Sequence, residues 1–307
     1  MRGLEQGNGW TTALEFAPPG GVSLRWVEDN KSQLTHELQI HGAVVLRGLA
    51  GGVDEFGDVV SALGGPQLSY TERSTPRSSV KGNVYTSTEY PASQEIPMHN
   101  ENSYSDSWPG YLYFLCEVAP ATGGCTPIAD SRQVLENLPG DVRDRFDGGV
   151  VYTRNYREGL GLTWQEAYQT SDQQAVERYC REHGMDAVWA DGELRTDALR
   201  PATRVAPSSD QEVWFNQANL FHPSTLDPEV REALLELYDE SELPRNAHFS
   251  DGSPIPEADI EAVTKSYRKV ALELPWQAGS VLIIDNMRMA HGRSAFTGDR
   301  RVLVAMT

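Results

Sequence analysis

The chain has 307 residues, 39% apolar and 9% aromatic, enough for one large domain or two ordinary ones with a sizeable core and unlike a disordered segment. Its formal net charge of −18 repels phosphate backbones and anionic membrane surfaces, so nucleic acid and membrane are set aside as partners and the acidity is read as solvated surface. Cys116, Cys125 and Cys180 form no CxxC pair, the start MRGLEQGNGW has no apolar signal region, and no apolar run reaches the ~18 residues of a membrane span; a cytoplasmic protein with reduced thiols is expected.

Along the chain, the run GAVVLRGL, closed by Gly51-Gly52, reads as a buried strand. In VDEFGDVVSALGG the apolar residues Val53, Phe56, Val59, Val60 and Leu63 recur at helical spacing, and Gly64-Gly65 end the helix. Residues 68–98 are polar and read as loops and short strands forming a rim. MHNENSYSDSWPGYLYFLCEV ends in an apolar strand, and DSRQVLENLPGDVRDRF begins with a capping Asp or Ser and continues as helix and turn. Residues 163–183 read as helical, as do DPEVREALLELYDE from Asp227 and IPEADIEAVTKSYRKVALEL from Ile255. Between the first two, AVWADGELRTDALRPATRVAPSSDQEVWFNQ alternates and turns as short antiparallel strands. At the end, VLIIDNMRMAHGRSAF, the turn TGDR and RVLVAMT predict a C-terminal hairpin. Strand groups separated by helices favour an α+β fold, a double-sheet jelly roll with helical insertions, over a doubly wound sheet. No GxGxxG or GxxxxGK[ST] follows a strand.

His99 and Glu101 stand two apart, which on a strand points both side chains to one face. Two histidines with one carboxylate, once His291 is added, leave about three positions open in an octahedral shell, the ligand set of non-haem Fe(II) oxygenases. The same set could hold zinc in a hydrolase. Arg301, ten residues after His291, returns on the far arm of the expected hairpin and could take a carboxylate in two-point fashion; Arg300 would face the other way.

The stretches MHNENSYSDSWPGYLYFLC, TGGCTPIADS and GSVLIIDNMRMAHGRSAFTGDRRVLVAM together resemble the taurine dioxygenase family of Fe(II)/2-oxoglutarate oxygenases. The likeness is greatest to its clavaminate synthase-like, syringomycin-biosynthesis branch, which GNVYTSTEYPASQEIPMHNE also fits, and it spans about residues 40–307 of a single oxygenase domain, 1–307. The resemblance implies a double-stranded β-helix core, with Fe(II), 2-oxoglutarate and O2 as cofactor and cosubstrates. His99, Glu101 and His291 match the metal ligands, Arg301 the arginine for the distal carboxylate of 2-oxoglutarate, and Thr126 the threonine that shares it. It implies oxidative decarboxylation to succinate and CO2, coupled to hydroxylation of an unactivated C–H. Desaturation, cyclisation and epoxidation stay open.

Two departures narrow the reading. A sulfonate-binding arginine four residues beyond the carboxylate arginine is replaced by Ala305, and Glu101 stands where related halogenases have Ala or Gly, so neither a sulfonate substrate nor chlorination is expected. Arg73 and Asn216 are candidate substrate contacts; Trp214 and Phe215 read as core, and His222 and His248 as packing or surface histidines. The expected substrate is a small molecule, amino-acid-like or tethered to a carrier protein in an antibiotic-type pathway, with a homo-oligomer left open. A zinc hydrolase and a barrel-shaped binding protein with a vestigial site are the rivals, and neither needs a buried carboxylate clamp.

Overall fold

The computed structural model describes residues 1–5, 11–68, 79–86 and 90–307. In chain order the first part contains β1 (Arg2–Glu5), β2 (Thr11–Phe16), α1 (Leu24–His41), β3 (Ala43–Leu46), α2 (Gly52–Gly64), β4 (Ser79–Lys81), β5 (Val84–Thr86), β6 (Ile96–His99), β7 (Tyr111–Val118), β8 (Thr122–Gly123) and β9 (Ile128–Asp130). The middle contains α3 (Ser131–Asn137), α4 (Gly140–Arg145), β10 (Val150–Tyr156), α5 (Trp164–Tyr168), α6 (Gln173–Glu182), β11 (Asp186–Ala190), β12 (Glu193–Arg200), β13 (Thr203–Ala206), β14 (Gln211–Trp214) and α7 (Ala218–Phe221). The last part contains α8 (Pro228–Leu237), β15 (Arg245–Phe249), α9 (Glu257–Val270), β16 (Ala271–Leu272), β17 (Val281–Asp285), β18 (Met289–Arg293), β19 (Phe296–Thr297) and β20 (Arg301–Met306).

The apolar runs build one eight-stranded sheet in the order β1-β2-β3-β17-β7-β20-β5-β4. Its central strands β3, β17, β7 and β20 are buried on both faces. On β7, Tyr113 and Leu115 pack with Val27, Leu34 and Leu38 of α1 and Phe56, Val59 and Val60 of α2. The alternate residues Leu112, Phe114 and Cys116 pack inward with Ile128 and Met289 of the second sheet. β17 and β20 divide in the same way, with Ile283 and Leu303 on the helical side and Ile284 and Val304 on the inner side. A strand covered on both faces has no polar face to show, so these segments read as continuous apolar runs. The second sheet, β16-β9-β18-β6, faces the first across this core, which gives the expected jelly roll. A further sheet, β11-β12-β10-β15, and the β13-β14 hairpin make up the insertion between β9 and α9.

Two helical regions gain detail that the sequence did not show, and one expectation fails. Residues 163–183 form two helices: Gln169 takes a left-handed conformation (φ 54°) that ends α5, and the Asp172 side chain starts α6 by accepting from Gln174 N–H. Helix α1 escaped the sequence reading because only Val27, Leu34 and Leu38 of its residues are buried, although its ends are marked. Ser23 caps the start, and Gly42 at φ 76° donates to the Leu38 carbonyl at 2.8 Å. The C-terminal hairpin does not form. β18 lies in the second sheet and β20 in the first, so residues 294–300 cross from one to the other, touching β8 through β19 on the way. Among the described residues no helix is long and apolar enough to cross a membrane.

His222 is a packing residue, as expected. Its Nδ1 accepts from Ser224 N–H at 3.1 Å, which assigns the proton to Nε2, 3.0 Å from the Ile255 carbonyl. Burial is the main reason its pKa lies below the usual 6.5; Arg231 adds to this, and the Ile255 bond, Glu240 and Glu257 oppose it. A base whose folded pKa is depressed binds its proton first in the unfolded chain, so stability is lost as pH falls below ~6.5. We expect urea midpoints between pH 7.5 and pH 5 to fall less steeply in His222→Gln than in the native chain; equal slopes would show that His222 does not carry the effect.

Candidate metal centre and cosubstrate pocket

His99 ends β6 and His291 is central in β18, and antiparallel pairing sets the two directly opposite one another. Their rings are 4.4 Å apart between centroids. Oε2 of Glu101 lies 4.0 Å from His99 Nε2 and 3.9 Å from His291 Nε2. Glu101 is 4% exposed and His291 6%. His99 Nδ1 lies 2.8 Å from the Pro97 carbonyl, which fixes the proton there and leaves the Nε2 lone pair facing Glu101. Neighbouring ligands of one octahedral ion at ~2.1 Å stand ~3.0 Å apart, so small rotations of these side chains close the shell. The donors fit a divalent metal on one face and leave the opposite face open. No other set of three such ligands occurs among the described residues.

The strand argument for His99 and Glu101 needs one correction. β6 stops at His99, and Glu101 sits in the turn beyond it, where Asn102 has φ 55°. The carboxylate is therefore aimed by the turn, which Asn286 holds through hydrogen bonds to Glu101 N–H (2.7 Å) and Glu101 C=O (3.0 Å).

Beside the histidines a pocket is lined by Phe114, Thr126, Arg300, Val302 and Val304. The arginine in it is Arg300. Arg301, expected there, lies outside: its side chain is 53% exposed and its Nε is 3.0 Å from Oε2 of Glu117. Residues 300, 302 and 304 share the inner face, whereas Leu303 and Ala305 pack on the helical side. Because valine, leucine and alanine suit both faces, the sequence does not reveal which arginine turns inward. A register shift between Arg301 and Val302 and the missing hairpin removed the assumed geometry as well. Four residues beyond Arg300 stands Val304, so a second cation for a sulfonate is lacking on this count too.

Arg300 Nε donates to the Gly124 carbonyl at 3.0 Å, and its guanidinium lies over the Phe296 ring. Burial, and then the charge of Arg293, bring its pKa down to about 10, so it stays cationic at neutral pH. Thr126 is 3% exposed, and its Oγ1 accepts from Trp276 Nε1 at 3.1 Å. Gly123 and Gly124, at φ 66° and 63°, bring the backbone before Thr126 against residues 295–300.

Asn216 does not join this site. Its Nδ2 donates to the Ala202 carbonyl at 2.9 Å and its Oδ1 accepts from Ala218 N–H at 3.0 Å, so its amide ties backbone together beyond the end of β14. Trp214 and Phe215 are fully buried, as expected. Arg73 and much of the polar rim fall outside the described residues. Phe114, Trp276 and Asn286 were missed; only Asn286 left a trace, as the polar break after VLIID.

A family model, taurine catabolism dioxygenase TauD, TfdA family, matches residues 9–307. The chain belongs to this family. It is an Fe(II)- and 2-oxoglutarate-dependent dioxygenase that uses O2. Among curated relatives of this TauD-family chain, the dapdiamide synthesis protein DdaC of Enterobacter agglomerans is 42% identical over 272 residues, 88% of this chain and 83% of that one. A clavaminate synthase-like protein of Arabidopsis thaliana is 32% identical over 294 residues, 91% and 86% of the two chains. Of solved structures, PvcB of Pseudomonas aeruginosa has a TM-score of 0.56 at 15% identity, covering 99% of this chain and 89% of its own, a likeness of fold.

A Cβ at position 124 would lie 3.0 Å from Phe296 Cβ and 3.1 Å from Arg300 Cδ, at a backbone conformation few L-residues adopt. Gly124→Ala is expected to cost about 1–3 kcal/mol of stability and to weaken 2-oxoglutarate binding by displacing Arg300. Urea unfolding and cosubstrate titration check the two effects.

Proposed function

We propose that His99, Glu101 and His291 hold the iron, that Arg300 and Thr126 hold the distal carboxylate of 2-oxoglutarate, and that the enzyme hydroxylates an unactivated C–H. The proposed substrate is amino-acid-like or carrier-tethered, in a secondary-metabolite pathway. The observation that carries this reading is the half-buried Arg300, which lines one pocket together with His99 and His291. A hydrolase with the same ligands has no use for a buried carboxylate clamp. The similarity to a protein of dapdiamide synthesis supports the kind of pathway. Strands from both ends of the chain meet in the eight-stranded sheet, and the family match runs from residue 9 to 307, which supports a single oxygenase domain over the whole length.

Each side chain has a definite task. His99, Glu101 and His291 would hold the iron, which would supply the centre to which 2-oxoglutarate and O2 come. Arg300 offers a planar, charge-assisted donor pair to the far carboxylate, with Thr126 Oγ1 beside it. Phe114, Val302 and Val304 keep water from that charge pair and so strengthen it. Bound there, iron with 2-oxoglutarate and O2 supplies the oxidant that removes hydrogen from the substrate, with succinate and CO2 as by-products. As a ligand, Glu101 would occupy the place that a halide would need. Desaturation, cyclisation and epoxidation would use the same centre, and product analysis separates them.

Anaerobic addition of Fe(II) and 2-oxoglutarate should give a weak visible charge-transfer band, and zinc should support no turnover. Arg300→Ala is expected to weaken 2-oxoglutarate by about 2–5 kcal/mol, the cost of truncating one partner of a buried charge pair. Arg301→Ala should change it by less than about 1 kcal/mol, because an exposed ion pair contributes little. Equal losses in titrations of the band would remove Arg300 from its role.

In excess chloride, mass spectrometry should find a hydroxylated product, or one of the three alternatives, and no chlorinated main product. A chlorinated one would mean that Glu101 is not a ligand.

A further inference from the structure

We infer that Asn286 is a positioning residue for the metal centre, holding Glu101 in place by bonding both its backbone N–H and its backbone C=O. The inference rests on the reading of His99, Glu101 and His291 as the iron ligands. Glu101 lies beyond the end of β6, so no strand ladder fixes its backbone. The Asn286 side chain does this instead. Its Oδ1 accepts from Glu101 N–H at 2.7 Å, and its Nδ2 donates to Glu101 C=O at 3.0 Å and to Pro109 C=O at 2.9 Å. One acceptor and two donor hydrogens are what a primary amide has, and all are used. Aspartate would lack the donors, and glutamine would be one methylene too long for a residue with no exposed surface.

The backbone of Asn286 is equally committed. Its N–H donates to Gly110 C=O at 2.9 Å, and its carbonyl accepts from Asn100 Nδ2 at 2.6 Å. Two more buried amides brace the peptides before Glu101: Gln217 Nε2 donates to Asn100 C=O at 2.7 Å and Asn219 Nδ2 to Met98 C=O at 3.0 Å. Asn286 stands five residues before His291, on the turn between β17 and β18. The same residue that redirects the chain toward one ligand therefore fixes another, and their separation is set by one rigid amide.

The test is a titration with Co(II), read by its visible d–d absorption, together with thermal unfolding of the metal-free protein. Three chains are compared: native, Asn286→Ala and Asn216→Ala. Asn216 is the control, because it too is fully buried with its amide bonded to backbone, at Ala202 and Ala218 and not at a ligand residue. Both variants should lose thermal stability. Asn286→Ala should bind Co(II) about 10–100-fold more weakly, the usual effect of losing a partner behind a ligand, while Asn216→Ala stays within about threefold of native. Native-like affinity in Asn286→Ala, or an equal loss in Asn216→Ala, would overturn the inference. If alanine does not fold at position 286, Asn286→Ser, which leaves a smaller void, is read by the same criterion. Should the native chain bind no Co(II) that His291→Ala abolishes, the metal-ligand reading fails, and the inference with it.

Discussion

β18 lies between β9 and β6, and its pairing with β6 places His291 opposite His99. These residues are 192 positions apart, so no local preference can bring them together; the second sheet has to form first. That sheet in turn depends on the inner face of the first, where Phe114, Ile284 and Met289 pack between the layers. Phe114 reaches the site directly, its ring centroid 5.2 Å from that of His291. A metal centre assembled in this way inherits the rigidity of the core, and its ligands need little further ordering when the ion binds.

The crossing from β18 to β20 has a second consequence. A hairpin would have kept the arginine in the same sheet as His291. Passing to the other sheet lets Arg300 line the same pocket as His99 and His291 from just before another strand. The glycines at 123 and 124 let this crossing pass close to the strand that leads to Thr126. The pocket wall is thus made by two segments that each leave a strand and return, stitched by the contact of β8 with β19.

Local charge also runs against the whole. The chain carries −18, yet the pocket holds Arg300 with Arg293 near enough to depress its pKa. Surface charge is screened over about 8–10 Å at ordinary ionic strength, whereas two sheltered cations act over a few ångströms in a poorer dielectric. The pocket can therefore attract a dicarboxylate although the protein as a whole repels anions.

What the sequence determined by itself was the class of fold and the candidate ligand set, His99, Glu101 and His291. Two histidines and a glutamate stand out as candidates because few side-chain types bind a divalent metal, and the apolar runs are legible because both faces of the central strands are covered. The same runs hid the parity of the last strand, since Val302, Leu303, Val304 and Ala305 are apolar on either side, and so the choice between Arg300 and Arg301 could not be read. Asn286 was hidden for a related reason: a buried amide looks like any loop asparagine until its partners, 185 and 177 residues away, are known. Tertiary structure decided these points because each depends on which segments meet across the core, and contacts between distant segments leave no period or spacing in the chain.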